Sequence, residues 1–132
     1  MVWGRCLKLL LDTHTLVWWI KGSARLSNAA REAMLAGDAE IYVSIASAWE
    51  IAIKVGSGKW DDAKHLIEVF ETALADEGFL LLPITLAHVR TAGLLTSPHR
   101  DPFDRLLAAQ ASIEGLRLVT ADPRLTGLGA DI

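Results

Sequence analysis

Four short apolar runs, residues 7–11, 41–43, 79–82 and 116–119, alternate with longer stretches whose apolar residues recur at helical spacing. No other feature restricts the fold so strongly. Near-continuous apolar strands are buried on both faces, and a helix between successive strands returns the chain so that they run parallel. The punctuation agrees. Ser27 reads as the cap of a helix over 28–35 with Gly37 just past its end, and Ser44 leads directly into a helical pattern over 45–55. Asp61 or Asp62 opens a further helix carrying Leu66, Ile67, Phe70 and Leu74, which Gly78 closes. Thr85 caps a helix through Leu94, and Asp101, followed by Pro102, caps one over 102–114 that ends at Gly115. A short apolar helix over 15–20 stops near Gly22, and residues 130–132 read as a short last strand. The expectation is one α/β domain over 1–132, a parallel sheet of four to five strands flanked by helices on both faces.

At 132 residues and 52% apolar, the chain has enough material for one well-filled core and not for two. A formal charge of −3 excludes a protein that grips nucleic acid mainly through a broad basic face. It leaves room for a local field reversed by a bound cation and a few basic residues. Cys6 is the single cysteine, so no internal disulfide forms. Arg5 and Lys8 before three leucines look superficially like a signal peptide, but Asp12 and His14 cut the apolar run far short of one. A cytoplasmic protein without a membrane segment is the expectation.

Four acidic residues stand where strands meet helices or where helices begin: Asp12, Glu50, Asp104 and Asp122. In open α/β sheets, sites form outside the carboxyl ends of the strands, where the strand order reverses. Each acid also has a local reading. Ser47-x-x-Glu50 matches a capping box, Asp104 complements the dipole of a helix capped by Asp101, and Asp122 before Pro123 suits a turn. Taken singly, Glu50 and Asp122 read first as capping residues. Asp12 resists that reading, because a carboxylate beside a buried strand is costly unless it is paired or binds a metal. As a set, the four form an oxygen-only donor group suited to Mg²⁺ or Mn²⁺ rather than zinc. Their mutual repulsion raises their pKa values until a cation neutralises them, and such an ion supports phosphodiester cleavage.

The segments carrying these acids are Leu11-Asp12-Thr13-His14-Thr15-Leu16-Val17-Trp18-Trp19, Ser47-Ala48-Trp49-Glu50-Ile51, His99-Arg100-Asp101-Pro102-Phe103-Asp104-Arg105-Leu106-Leu107-Ala108-Ala109-Gln110-Ala111 and Val119-Thr120-Ala121-Asp122. In order and spacing they resemble the motifs of PIN-domain proteins, and among these the VapC toxins of type II toxin–antitoxin systems. The resemblance runs from Leu7 to about Leu125. It implies a Mg²⁺- or Mn²⁺-dependent endoribonuclease acting on RNA, a cognate VapB-like antitoxin whose C-terminal segment covers the toxin, and a homodimer. Carried over, Asp12, Glu50, Asp104 and Asp122 form the acidic quartet, Asp101 assists from outside it, and Thr120 stands beside the metal. Asp12 and Asp104 are then direct ligands, with Glu50 and Asp122 binding a second ion or orienting water. A PIN-like module that binds RNA or antitoxin without cutting is the alternative. A haloacid-dehalogenase-like phosphatase needs an aspartate where His14 stands, and a receiver domain needs a late lysine that the segment after Val119 lacks.

Several further residues carry two readings. His14 and His99, close to the acidic motifs, serve phosphate or proton chemistry, or only local structure. Arg100 and Arg105 bind the RNA backbone or pair with Asp101 and Asp104. Lys54, Lys59 and Arg90 read first as solvated surface, with lining of an RNA groove as the alternative. Trp18 and Trp19 are adjacent, so one helix cannot bury both on one face: one is expected in the core and the other at an interface, the alternative being that both serve the fold.

Overall fold

The computed structural model describes residues 7–123. Four strands, β1 (Lys8–Leu11), β2 (Glu40–Ser44), β3 (Leu80–Leu82) and β4 (Arg117–Val119), form one sheet in the order β3-β2-β1-β4. All three pairings are parallel, with Leu10 opposite both Tyr42 and Leu118. The expected last strand at 130–132 lies outside the described residues.

Alternation along β1 divides the core into two layers. Leu9 and Leu11 join Val43, Leu16, Ile51, Leu66 and Leu74 on one face, whereas Leu10 joins Leu118, Leu107 and Ala111 on the other. The first layer is roofed by α1 (Thr13–Lys21), α2 (Asn28–Leu35), α3 (Ile45–Gly56), α4 (Lys64–Glu68) and α5 (Phe70–Glu77), the second chiefly by α7 (Pro102–Glu114). Helices on both faces explain why β1 is apolar at every buried position.

The local punctuation acts largely as its residue types dictate. Ser27 Oγ accepts from Ala30 N and Asp101 Oδ1 from Phe103 N, while Gly78 and Gly115 close α5 and α7 in the left-handed region at φ 74° and 69°. Thr85 caps α6 (Leu86–Leu94) in a reciprocal box with His88, whose Nδ1 accepts from Thr85 N at 3.0 Å. That bond leaves the proton on Nε2, which donates to Glu114 at 2.7 Å.

Two expectations need correction. The single helix opened by Asp61 or Asp62 is instead a 3₁₀ turn over Asp61–Ala63, then α4 and α5, separated at Val69 (φ −118°, ψ 29°). Neither aspartate caps it, and Val69 leaves helical ψ while Leu66, Phe70 and Leu74 all stay buried. The Ser47–Glu50 capping box does not exist: Ser44 caps α3, its Oγ accepting from Ala46 N at 2.9 Å.

Candidate active site

The chain moves outward from β1 to β2 to β3, then returns to the opposite side of β1 for β4. The strand order therefore reverses between β1 and β4, and a cleft opens at their carboxyl ends. Asp12 follows β1 and is 7% exposed. Its Oδ1 accepts from Thr15 N at 2.8 Å, capping α1, and its Oδ2 accepts from Thr120 Oγ1 at 2.5 Å. Thr120 Oγ1 in turn accepts from Asp122 N at 3.0 Å, so one hydroxyl joins the two strand ends. Two more bonds fasten α1 to β4, from Asp12 N and Thr15 Oγ1 to Val119 O. Asp12 and Asp122 consequently line one open cleft of about 280 Å³, together with His14, Trp18 and Arg25.

Glu50 reaches the site from the second turn of α3 and is 5% exposed. Thr13 Oγ1 donates to its Oε1 at 2.6 Å, leaving the Ser47 hydroxyl 3.0 Å away to donate to Thr13. Lys54 Nζ pairs with its Oε2 at 2.9 Å. A nearly buried carboxylate is thus held by two donors, each charge-assisted. Lys54 is therefore not the solvated lysine that its surroundings in sequence suggest.

Asp104 lies in the first turn of α7, its Oδ2 2.9 Å from His99 Nε2. Burial raises its pKa above the usual aspartate value of 3.8; the His99 hydrogen bond opposes that, and the charges of Asp101 and Glu50 add to it. Clustered acidic repulsion is therefore present at Asp104 but comes after desolvation. His99 touches an acidic residue, as its position in the motif suggests. His14 stands on α1, exposed, its ring 5.0 Å from that of Trp60 and 5.7 Å from that of Trp18.

Arg105 departs from one of its expected roles, since it pairs with neither Asp101 nor Asp104. Its guanidinium donates instead to the carbonyls of Ala92, Leu95, Ser97 and His99. It is the clamp of the segment that carries His99. Both tryptophans are half-buried and packed against the core. Trp18 leans on His14, while Trp19 packs on Phe79 and donates to Glu77 at 2.6 Å.

Sequence alone does not single out Thr13, Arg25 or Trp60. The Glu50–Lys54 pair had a usable signal in its i,i+4 spacing. Thr13 had none, because its partner stands 37 residues away.

The donors fit a hard divalent cation in kind, being carboxylate and hydroxyl oxygens. Among the described residues, no three Asp, Glu, His or Cys side chains converge closely enough to hold one ion unaided. That is compatible with Mg²⁺, which keeps several waters and takes one or two carboxylates directly.

Fold and site together define an open parallel α/β domain with Asp12 and Asp122 on one cleft at its strand-order reversal. The chain belongs to the PIN-domain family, whose model matches residues 9–130. It is 35% identical over 128 residues to Ribonuclease VapC22 of Mycobacterium tuberculosis, covering 89% of this chain and 88% of that relative. In fold it is similar to the crystal structure of VapBC2 from Rickettsia felis bound to a DNA fragment from their promoter. The TM-score there is 0.63, with 18% identity over 88% of each chain.

Proposed function

We propose that this protein is a VapC-type endoribonuclease that hydrolyses RNA phosphodiester bonds with the help of Mg²⁺ or Mn²⁺. The observation that carries the reading is the gathering of Asp12 and Asp122 on one cleft, with Glu50 bonded to Thr13, the residue after Asp12. The VapC22 relative, named a ribonuclease, supports it. Asp12, Glu50, Asp104 and Asp122 would hold the ion or ions. A bound divalent ion supplies stabilisation of charge on the phosphate and a lower pKa for water. The chain's own contribution is orientation. Thr120 and Thr15 fix the Asp12 carboxylate, Thr13 and Lys54 fix that of Glu50, and His99 fixes that of Asp104.

A second reading, a PIN-like module that binds without cutting, draws on the absence of a ready three-ligand cluster among the described residues. One experiment separates the two. Purified protein is incubated with total RNA in Mg²⁺, in Mn²⁺ and in EDTA, beside Asp12→Ala and Asp104→Asn. Discrete fragments that require both metal and the two acids support the nuclease. RNA binding with no cleavage in any metal supports the binding module.

Two partners belong to the proposal. Ile20, Leu66, Val69 and Ala73 line an apolar groove of about 540 Å³ rimmed by Asp62, Asp76 and Glu77. It suits an amphipathic basic segment of an antitoxin. Ile45, Trp49 and Ile53 on α3, with Leu86 and Val89 on α6, expose apolar side chains suited to a second copy of the chain. Light scattering that finds only monomer across the micromolar range removes the homodimer, and co-expression with a candidate antitoxin that leaves cleavage intact removes that partner.

A further inference from the structure

The cleft of Asp12 and Asp122 continues into a second cavity of about 340 Å³, and the two share His14, Trp18 and Arg25. Rings dominate the join. The Trp60 ring lies 5.0 Å from that of His14 with 32° between the planes, and Trp18 lies 5.7 Å from the same imidazole. Cations border the rings. Lys54 Nζ sits 5.3 Å from the Trp60 ring centre while paired with Glu50, so the ring cluster is tied to the acidic site by a single ammonium. Arg25 and Lys21 line the second cavity, and neither has a carboxylate within ion-pair distance among the described residues.

We infer that this cluster is a nucleotide subsite, in which an unpaired RNA base packs against the His14 and Trp60 rings and a backbone phosphate meets Arg25. This rests on the ribonuclease reading and adds to it where the substrate strand lies beside the acids. The physical reasons are specific. Base–aromatic stacking tolerates any base but requires one freed from its helix, so the strand is single. A chain of net charge −3 with four acids at its site repels phosphate, and Arg25 and Lys21, which outnumber Asp62 along the second cavity, offset that. A peptide would want aliphatic walls. Val17 is the one aliphatic side chain lining the second cavity, in contrast to the groove under α4 and α5.

The test measures affinity for a short fluorescein-labelled single-stranded RNA of mixed sequence, and for its duplex, in an Asp104→Asn background. KM and kcat are measured in the active protein. Trp60→Leu keeps an apolar cover without a stacking face, Arg25→Gln removes the phosphate contact at an exposed position, and Arg90→Gln on α6 controls for net charge. Trp60→Leu is expected to weaken single-strand binding about 10-fold, with Trp60→Phe restoring most of it. Arg25→Gln is expected to weaken it about 5-fold and to lower the salt-dependence slope by about one. Arg90→Gln should change neither, and KM rather than kcat should carry the effect. Cleavage with unchanged KM and affinity in both Trp60→Leu and Arg25→Gln overturns the subsite and leaves the ribonuclease reading standing. Protein that neither binds nor cuts RNA overturns both.

Discussion

Arg105 gives the sharpest prediction, because two readings of it differ in sign and in assay. As a contact for RNA, its loss would weaken RNA binding and leave the fold alone. The structure instead has it closing the segment between α6 and α7, with Nε 3.1 Å from Ala92 O and Nη1 2.9 Å from His99 O. Nη1 also reaches Ser97 O at a longer 3.4 Å, and Nη2 donates to Leu95 O. Hydrogen bonds from a charged donor contribute about 1.5–3 kcal/mol each, but half-buried loop carbonyls recover water when the donor leaves. Counting two of the four bonds at the lower end, Arg105→Met should cost about 3 kcal/mol, its stem still filling the space. For a chain of this length that lowers Tm by about 10 °C. Lysine should rescue little, since one ammonium cannot span four carbonyls arranged around a planar fork. The assay is urea and thermal denaturation of Arg105→Met, Arg105→Lys and the unmodified protein, with amide exchange followed across residues 95–100. A loss below about 0.5 kcal/mol, within the range of an ordinary surface substitution, would refute the clamp. So would unchanged exchange protection in that segment.

The other predictions concern the carboxylates. Thr13→Val keeps shape but removes the hydroxyl 2.6 Å from Glu50, so it should cost about 2 kcal/mol in urea denaturation and reduce RNA cleavage. Equal stability with full activity would show that Lys54 alone suffices to hold Glu50. For Asp104 the sign follows from burial. Its folded pKa lies above 3.8, so its stabilising contribution is complete below that pH and is lost as pH rises through the folded value. In metal-free buffer, Asp104→Asn should therefore melt higher than the unmodified protein at neutral pH, with the gain vanishing near pH 3. A variant that melts lower at neutral pH would contradict that sign. The same substitution should abolish cleavage, which separates loss of function from loss of fold.

How far the sequence reaches depends on the span of the interaction concerned. Ser27, Thr85 and Asp101 cap helices where their types and neighbours place them, because a cap bond joins residues two or three apart. The strands were legible for the same reason, since burial on both faces leaves an unbroken apolar run. The break at Val69 was not, because the apolar spacing from Leu66 through Leu74 reads as one continuous helix.

At the site the division is sharper. The identities of Asp12, Glu50, Asp104 and Asp122 stood out through their motifs, yet local reading made Glu50 a capping residue. Only the packing of α1 against α3 brought Thr13 to it, and only the β1–β4 pairing brought Thr120 to Asp12 across 108 positions. Arg105 followed the same rule, its carbonyl partners supplied by a chain turn that no periodicity announces. By itself the sequence determined the alternating elements, their ends and the kinds of donor available. The tertiary structure decided the strand order β3-β2-β1-β4, and with it which carboxylates share a cleft and which hydroxyls hold them. The physical reason is reach: backbone propensity and capping act over a few residues, whereas a hydrogen bond between chain segments exists only once the sheet has brought them together.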